Sequence, residues 1–111
     1  MAFQQILNLS GPLPVKASFN SPVIGPVDFL MTGTAWTAVG AGPIGIVLSI
    51  DGSPIATSLM YANLKSDHMT LPTSFSSMNL SSVGPHVVEI GPANSNTTTD
   101  ANDIFTVTIE F

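Results

Sequence analysis

The chain is 111 residues long, a length that one domain accommodates, because cores usually stay shared up to about 150 residues. Two cationic side chains face seven carboxylates, a net charge of −5, and 8% of the residues are charged against 44% hydrophobic. So few cations exclude nucleic-acid binding and a polybasic membrane anchor, and the absence of cysteine excludes a disulfide framework, a thiolate nucleophile and a cysteine-type zinc site.

The apolar content is high for a small domain, whose surface is large relative to its volume. We therefore expect part of it to be buried between copies of the chain. No apolar run approaches the roughly 20 residues that span a bilayer, and the start of the chain lacks the basic and apolar blocks of a signal peptide. We expect a soluble protein without membrane insertion, and its location, extracellular or within a particle, stays open.

The chain is divided into short β-branched runs by nine prolines and nine glycines, a pattern typical of an all-β protein. In chain order, strands are predicted over 3–9, 13–19, 27–37, 44–51, 55–61, 68–75, 86–90 and 103–111. About eight strands predict an antiparallel β-sandwich of the jelly-roll type, formed by residues 1–111 as a single domain.

Three of these elements have informative details. The run 27–37 predicts a long strand that is buried on much of both faces. The pair Asp51 and Gly52 between two alternating runs predicts a hairpin, and Pro54 just after the turn predicts an irregular first pair. The segment 91–102 has no large apolar residue and is predicted to be a loop, where binding residues often lie.

The C-terminal third reads G-P-H-V-V-E-I-G followed by T-T-T-D-A-N-D-I-F-T-V-T-I-E-F, and the middle reads S-I-D-G-S-P-I-A-T-S-L-M-Y-A-N-L-K-S-D-H-M-T-L. This arrangement resembles small bacterial and phage jelly-roll modules similar to the tumour necrosis factor-like fold, over roughly residues 33–111. The resemblance implies a homotrimer in which each subunit lays one sheet against a threefold axis. It also implies ligand or glycan binding at subunit boundaries or loop tips.

The candidate ligand-binding residues are aromatic rings, on which sugar faces stack, and neighbouring polar groups that bond hydroxyls. They are Trp36, Tyr61, Asn63, Asp67, His68, Asn94 and Asn96. Trp36 lies in an apolar run, so a core or interface position is the alternative for it. The other histidine, His86, shares a face with apolar strand residues and is predicted to be a partly buried, hydrogen-bonded packing residue.

A metal site is a second hypothesis. Asp100, Asn102 and Asp103 offer hard oxygen ligands suited to calcium, but the same residue types are favoured in turns, and the spacing of an EF-hand is absent. No other cofactor is expected: the glycines between Val39 and Gly45 precede a strand, which excludes a phosphate-binding loop.

No sequence signature combines a nucleophile with a base, so we expect no enzyme. The leading hypothesis is a non-enzymatic, self-associating module that recognises a glycan or another neutral ligand, lectin-like or receptor-binding, through residues 61–68 and 94–103. The alternative is a structural tip, cap or fibre domain of a phage-like or secreted assembly with no small ligand.

Overall fold

The computed structural model describes residues 2–111, which contain no helix and therefore no helix able to cross a membrane. The strands are β1 (Phe3–Ser10), β2 (Val15–Ser21), β3 (Gly25–Thr32), β4 (Thr34–Ala35), β5 (Gly42–Ile50), β6 (Ser53–Ala62), β7 (Met69–Thr70), β8 (Ser74–Leu80), β9 (Gly84–Pro92) and β10 (Ile104–Glu110).

Eight of the strands form two antiparallel four-stranded sheets. Sheet A has the order β1-β10-β3-β8 and sheet B has the order β2-β9-β5-β6, while β4 and β7 pair separately. Consecutive strands thus lie in opposite sheets along much of the chain, as in a jelly roll. The predicted fold class, an all-β antiparallel jelly-roll sandwich, is confirmed.

Alternating apolar residues form the core between the sheets. Phe105, Val107 and Ile109 of β10 are fully buried, as are Phe29 and Met31 of β3. Because successive side chains of a strand point to opposite faces, these residues fill the interior from sheet A. Sheet B supplies every second residue of its central strands: Ile44, Ile46, Leu48, Ile50, Val88 and Ile90.

The predicted hairpin at Asp51 and Gly52 joins β5 to β6, with both residues at positive φ, 52° and 83°. The irregular pair expected at Pro54 is also present, since the register shifts by one residue between Leu48 and Ser49 of β5. This β-bulge moves the rest of β6 by one position relative to β5.

Two of the strand predictions are wrong in extent. The long strand predicted over 27–37 is divided: β3 ends at Thr32 in sheet A, and Thr34 and Ala35 form β4, which pairs with β7 instead. Gly33 lies between them, where a Cβ would come within 2.6 Å of the Phe105 ring. The outer face of β3 is also partly open rather than buried. The predicted strand 68–75 covers β7, a loop and the first two residues of β8, so most of β8 was not predicted.

The jelly-roll path gathers four loops at one end of the sandwich, which we call the loop end. They cover residues 11–14, 33–41, 63–73 and 93–103. The opposite end carries the β5–β6 hairpin and the connections 22–24 and 81–83. Residues 2 and 111 lie side by side there, joined by two backbone hydrogen bonds of 2.7 and 2.9 Å.

Candidate functional site

The loops of the loop end are joined by backbone hydrogen bonds into one surface. Trp36 and Thr98 exchange two such bonds, with N···O distances of 2.9 and 2.8 Å, and the Ser66 nitrogen donates to the Thr37 carbonyl at 2.7 Å. Segments 61–68 and 94–103, which the sequence predicted to bind one ligand together, therefore both adjoin segment 34–41. Buried backbone groups need such partners, so the pairing fixes the relative positions of the loops.

Asp103 is the centre of the first group of side chains. Its carboxylate is fully buried: one oxygen accepts hydrogen bonds from the Thr34 hydroxyl (2.7 Å) and His68 Nδ1 (2.8 Å), and the other accepts from the Asp100 backbone nitrogen (2.8 Å). A carboxylate only accepts, so Nδ1 of His68 must carry the proton. The remaining ring nitrogen, Nε2, is left free of this contact.

His68 Nε2 faces a second carboxylate. It lies 3.7 Å from Oδ2 of Asp100, and the two side chains are 39% and 40% exposed. The hydrogen bond that His68 donates to Asp103 is the main cause that raises the pKa of His68 above its ordinary value. The charges of Asp103, Asp100 and Asp67 act in the same direction, and burial opposes them.

Trp36 packs beside this group. Its ring centroid lies 5.5 Å from that of His68 with an interplanar angle of 34°, a distance at which an indole face attracts a cation. The indole nitrogen is buried without a hydrogen-bond partner. Trp36 is thus half-buried where the loops meet, and its role in ligand binding stays a prediction.

The structure brings together a set of possible metal ligands that differs from the predicted one. His68, Asp100 and Asp103 each bring one potential ligand atom within 4.8 Å of the others. Asn102 is exposed, and its backbone nitrogen donates to Oδ1 of Asp100 at 2.8 Å. Calcium binding at Asp100, Asn102 and Asp103 stays a prediction.

A second group of side chains surrounds Pro43. Tyr61, 59% exposed on the outer face of sheet B, is the cross-strand partner of Pro43. The side-chain amides of Asn94 and Asn96 both donate to the Pro43 carbonyl, at 3.1 and 3.2 Å. Their carbonyl oxygens accept from the Thr97 and Thr37 hydroxyls, so both asparagines hold the loop in place, and each amide has a second hydrogen beyond the one given to Pro43.

The remaining candidates, Asn63 and Asp67, are exposed in the loop between the two groups. Thr34 and Pro43 belong to the site but were not predicted. A single threonine in a sequence gives no indication that it belongs to a site. Pro43 lies opposite Tyr61 because of the β-bulge in the β5–β6 pair. The sequence indicated an irregular pair near Pro54 but not its effect on Tyr61.

His86 lies at the opposite end, and its predicted packing role is confirmed. It is buried, stacked on Phe19 with 5.6 Å between ring centroids, and hydrogen-bonded through both nitrogens. A surface cavity of about 330 Å³ also lies at that end, lined by Pro26, Val27, Asp28, Glu110 and Phe111. The candidate residues therefore form a surface of loops rather than the lining of this cavity.

No protein-family model matches the sequence, and no curated protein matches it. Solved structures share its fold. The globular domain of zebrafish complement 1qA is 16% identical over 85% of this chain and 67% of its own, with a TM-score of 0.56. The C-terminal domain of EclA, a sugar-binding protein, is 13% identical over 93% and 69%, with a TM-score of 0.52.

A family 35 carbohydrate-binding module from Clostridium thermocellum is 9% identical over 86% of this chain and 68% of its own, with a TM-score of 0.52. These structures are jelly rolls of the tumour necrosis factor-like type, consistent with the resemblance found in the sequence. At such low identities the likeness establishes the fold alone.

Proposed function

We propose that the protein is a non-enzymatic, self-associating module that binds a neutral glycan at the loop end. The observation that carries this proposal is the convergence of segments 61–68 and 94–103, whose polar and aromatic side chains meet across segment 34–41. These residues are distant in sequence, and the hydrogen bonds that join them fix a surface with aromatic and polar groups next to each other.

The chemistry of the surface suits a sugar. A sugar ring stacks on an aromatic face, while directed polar groups bond its hydroxyls. Tyr61 offers an exposed face, the Asn94 and Asn96 amides each keep a donor, and His68 with Asp100 offers further partners. Two of the similar structures are described as sugar-binding or carbohydrate-binding, which supports the same ligand class.

Self-association is supported by the outer face of sheet A. Leu30 of β3 and Phe75 of β8 are direct cross-strand partners on that face, and Phe75 is 62% exposed. Phe3 and Ile104 are exposed at opposite ends of the same face, where Phe3 lies beside Glu110 and the neutral Thr106 and Thr108 lie between the two ends. Monomeric proteins rarely leave clustered apolar residues in water, and we propose that this face packs in a homotrimer.

The same apolar face also favours the second candidate, a structural tip, cap or fibre domain of an assembly. Such a domain would contact its neighbours through the outer face of sheet A and would bind no ligand at the loop end. The two functions therefore differ in the surface they require, and a test of the loop end separates them.

The test of glycan binding is an array of neutral glycans, followed by retention on the matching sugar resin and elution with free sugar. We expect saturable binding that Tyr61→Ala together with His68→Ala weakens by about tenfold or more, since stacking and a directed hydrogen bond are each worth about 1 kcal/mol. Tyr61→Phe, which keeps the ring, is the control and retains most of the affinity.

Binding that survives the double substitution would remove Tyr61 and His68 from the site. A folded protein that binds no glycan on the array and is not retained on sugar resins would favour the structural alternative.

A further inference from the structure

We propose that His68 and Asp100 form a binding site for a divalent transition-metal ion of the Zn²⁺ type, with Asp103 as the residue that orients the histidine. This inference goes beyond the proposed function, because it concerns the loop end whether or not a glycan binds there. It also differs from the calcium hypothesis in its ligands and in its metal.

The two facing atoms are at a separation that one ion can bridge. His68 Nε2 and Asp100 Oδ2 are 3.7 Å apart, and bonds of about 2.0–2.2 Å from each atom to a Zn²⁺ ion span such a distance. Both side chains are partly exposed, so an ion can reach them from solvent and keep water or another ligand in its remaining positions.

In each of the two ligand side chains, the ring nitrogen or carboxylate oxygen that does not face the other ligand already makes a hydrogen bond. His68 Nδ1 is bound to buried Asp103, and Asp100 Oδ1 accepts from the Asn102 backbone nitrogen. The free atoms, Nε2 and Oδ2, are the two that face each other. A carboxylate on the second nitrogen of a histidine is the usual arrangement around a bound metal, because it fixes the ring and its tautomer.

Asp103 is itself held firmly. Thr34 donates to the same oxygen as His68, and the Asp100 backbone nitrogen donates to the other. The backbone of Asp100 thus supports the carboxylate that orients His68, while its side chain faces the same histidine. The loop 93–103 therefore carries Asp100 and also orients His68 through Asp103. Contacts within the protein alone are enough to bring the two ligand atoms face to face.

The ligand types select the metal. An imidazole nitrogen with a carboxylate oxygen suits zinc and similar ions, whereas Ca²⁺ takes six to eight oxygens and rarely uses histidine. Trp36, packed beside the His68 ring, limits the directions from which the ring can be approached.

The experiment uses the tag-free chain without sugar and follows both histidines by ¹⁵N NMR of the imidazole nitrogens during titration with ZnCl₂. We expect a saturable shift of His68 Nε2, and no shift of His86, whose two nitrogens are already engaged. Asp100→Asn, which keeps the shape of the side chain, weakens Zn²⁺ binding about tenfold or more, and His68→Gln removes it. Glu89→Gln, on β9 of sheet B and outside the cluster, leaves the affinity unchanged.

Three results would overturn the proposal: equal shifts at both histidines, an affinity that Asp100→Asn does not change, or no shift at His68 at millimolar Zn²⁺. A parallel titration with CaCl₂ that perturbs the amides of residues 100–103 while Zn²⁺ perturbs nothing would support the calcium hypothesis instead. Because no sugar is present, failure here leaves glycan binding to its own test, and zinc binding without sugar binding would leave this site standing alone.

Discussion

Buried His86 and half-exposed Asp51 form an ion pair at the end opposite the loop end. His86 Nδ1 lies 2.6 Å from Asp51 Oδ2, and Nε2 lies 2.8 Å from the Ser82 carbonyl oxygen. Both of these oxygens only accept, so both ring nitrogens must donate, and the ring is fully bonded only as the imidazolium. Accordingly, the Asp51 hydrogen bond is the main cause that raises the pKa of His86, and the His86 hydrogen bond lowers the pKa of Asp51.

These shifts fix the sign of the pH dependence. Folding favours protonated His86, so its contribution to stability is complete below the ordinary value of 6.5 and is lost as the pH rises through the raised folded pKa. Folding favours ionised Asp51, so its contribution is present above the ordinary value of 3.8 and is lost as the pH falls through the lowered folded pKa. The pair therefore stabilises the fold most in the weakly acidic range between these values.

We predict that the free energy of unfolding falls by about 1 kcal/mol between about pH 6 and about pH 9, because the neutral ring loses one buried hydrogen bond. Asp51 is half exposed, which limits the effect. Urea unfolding across this range measures it, and His86→Gln should reduce the slope and leave the part that belongs to His68, whose pKa is also raised. If His86→Gln unfolds with the same slope as the wild type, the slope belongs to other groups.

At the scale of the elements, the β5–β6 hairpin depends on its turn. Asp51 tolerates positive φ and glycine adopts it freely, so the Asp-Gly pair matches the twist of the two strands. Gly52 has φ of 83°, and a Cβ there would meet no other atom within 4 Å. Any cost of substitution at this position is therefore conformational rather than steric.

We predict that Gly52→Ala lowers the free energy of unfolding by about 1–2 kcal/mol, the cost of a left-handed backbone for an L residue. Urea unfolding measures it. Gly91→Ala is the matched control, since this site is equally open but has no positive φ, and its change should stay within about 0.5 kcal/mol. Equal losses at both positions would show that the turn conformation is not the cause.

The sequence predicts most of the elements but less of the site. Alternation along β10 and the Asp-Gly turn depend on neighbouring residues, and both were predicted correctly. The break after Thr32 was not predicted, because the change of partner there, from the strands of sheet A to β7, is a long-range pairing that alternation within 27–37 does not reveal. Likewise, the sequence nominated His68, Asp100 and Asp103 for different sites, and only the fold brings them together.

The bulge in the β5–β6 pair shows how one residue can redirect a surface. Continuing the pairing of Ile50 with Ser53 without a shift would place Tyr61 opposite inward-facing Gly42. The shift instead places Tyr61 opposite Pro43 on the outer face, since a one-residue slip exchanges the two faces of a strand. The exposed ring of the proposed glycan site thus depends on the unpaired residue Ile55, which lies earlier in the same strand.

At the scale of the whole molecule, the two sheets differ on their outer faces. Sheet A exposes Leu30 and Phe75 as neighbours, whereas Leu59 of sheet B lies over Gly45, where the missing side chain leaves room for it. A stable interface needs roughly 800 Å² from each partner, an area on the scale of one face of a four-stranded sheet. This difference is the basis for assigning the subunit contact to sheet A.

We predict that sedimentation equilibrium gives a mass of three times the 11.5 kDa chain, and that Leu30→Ser with Phe75→Ser shifts it toward the monomer by removing buried apolar area. Leu59→Ser, an exposed leucine on sheet B, is the control and keeps the trimer. The measurement is made with calcium and with chelator. A wild-type monomer in both conditions would rule out the trimer.

The backbone pairing of Ala2 with Phe111 has a practical consequence for handling the molecule. Both residues lie at the end of the sandwich opposite the loops, so a tether attached at either one projects the loops away from the support. A biosensor chip or a display scaffold loaded through these positions would offer every copy in the same orientation. The choice of attachment point then decides whether an immobilised sample can report binding at the loops at all.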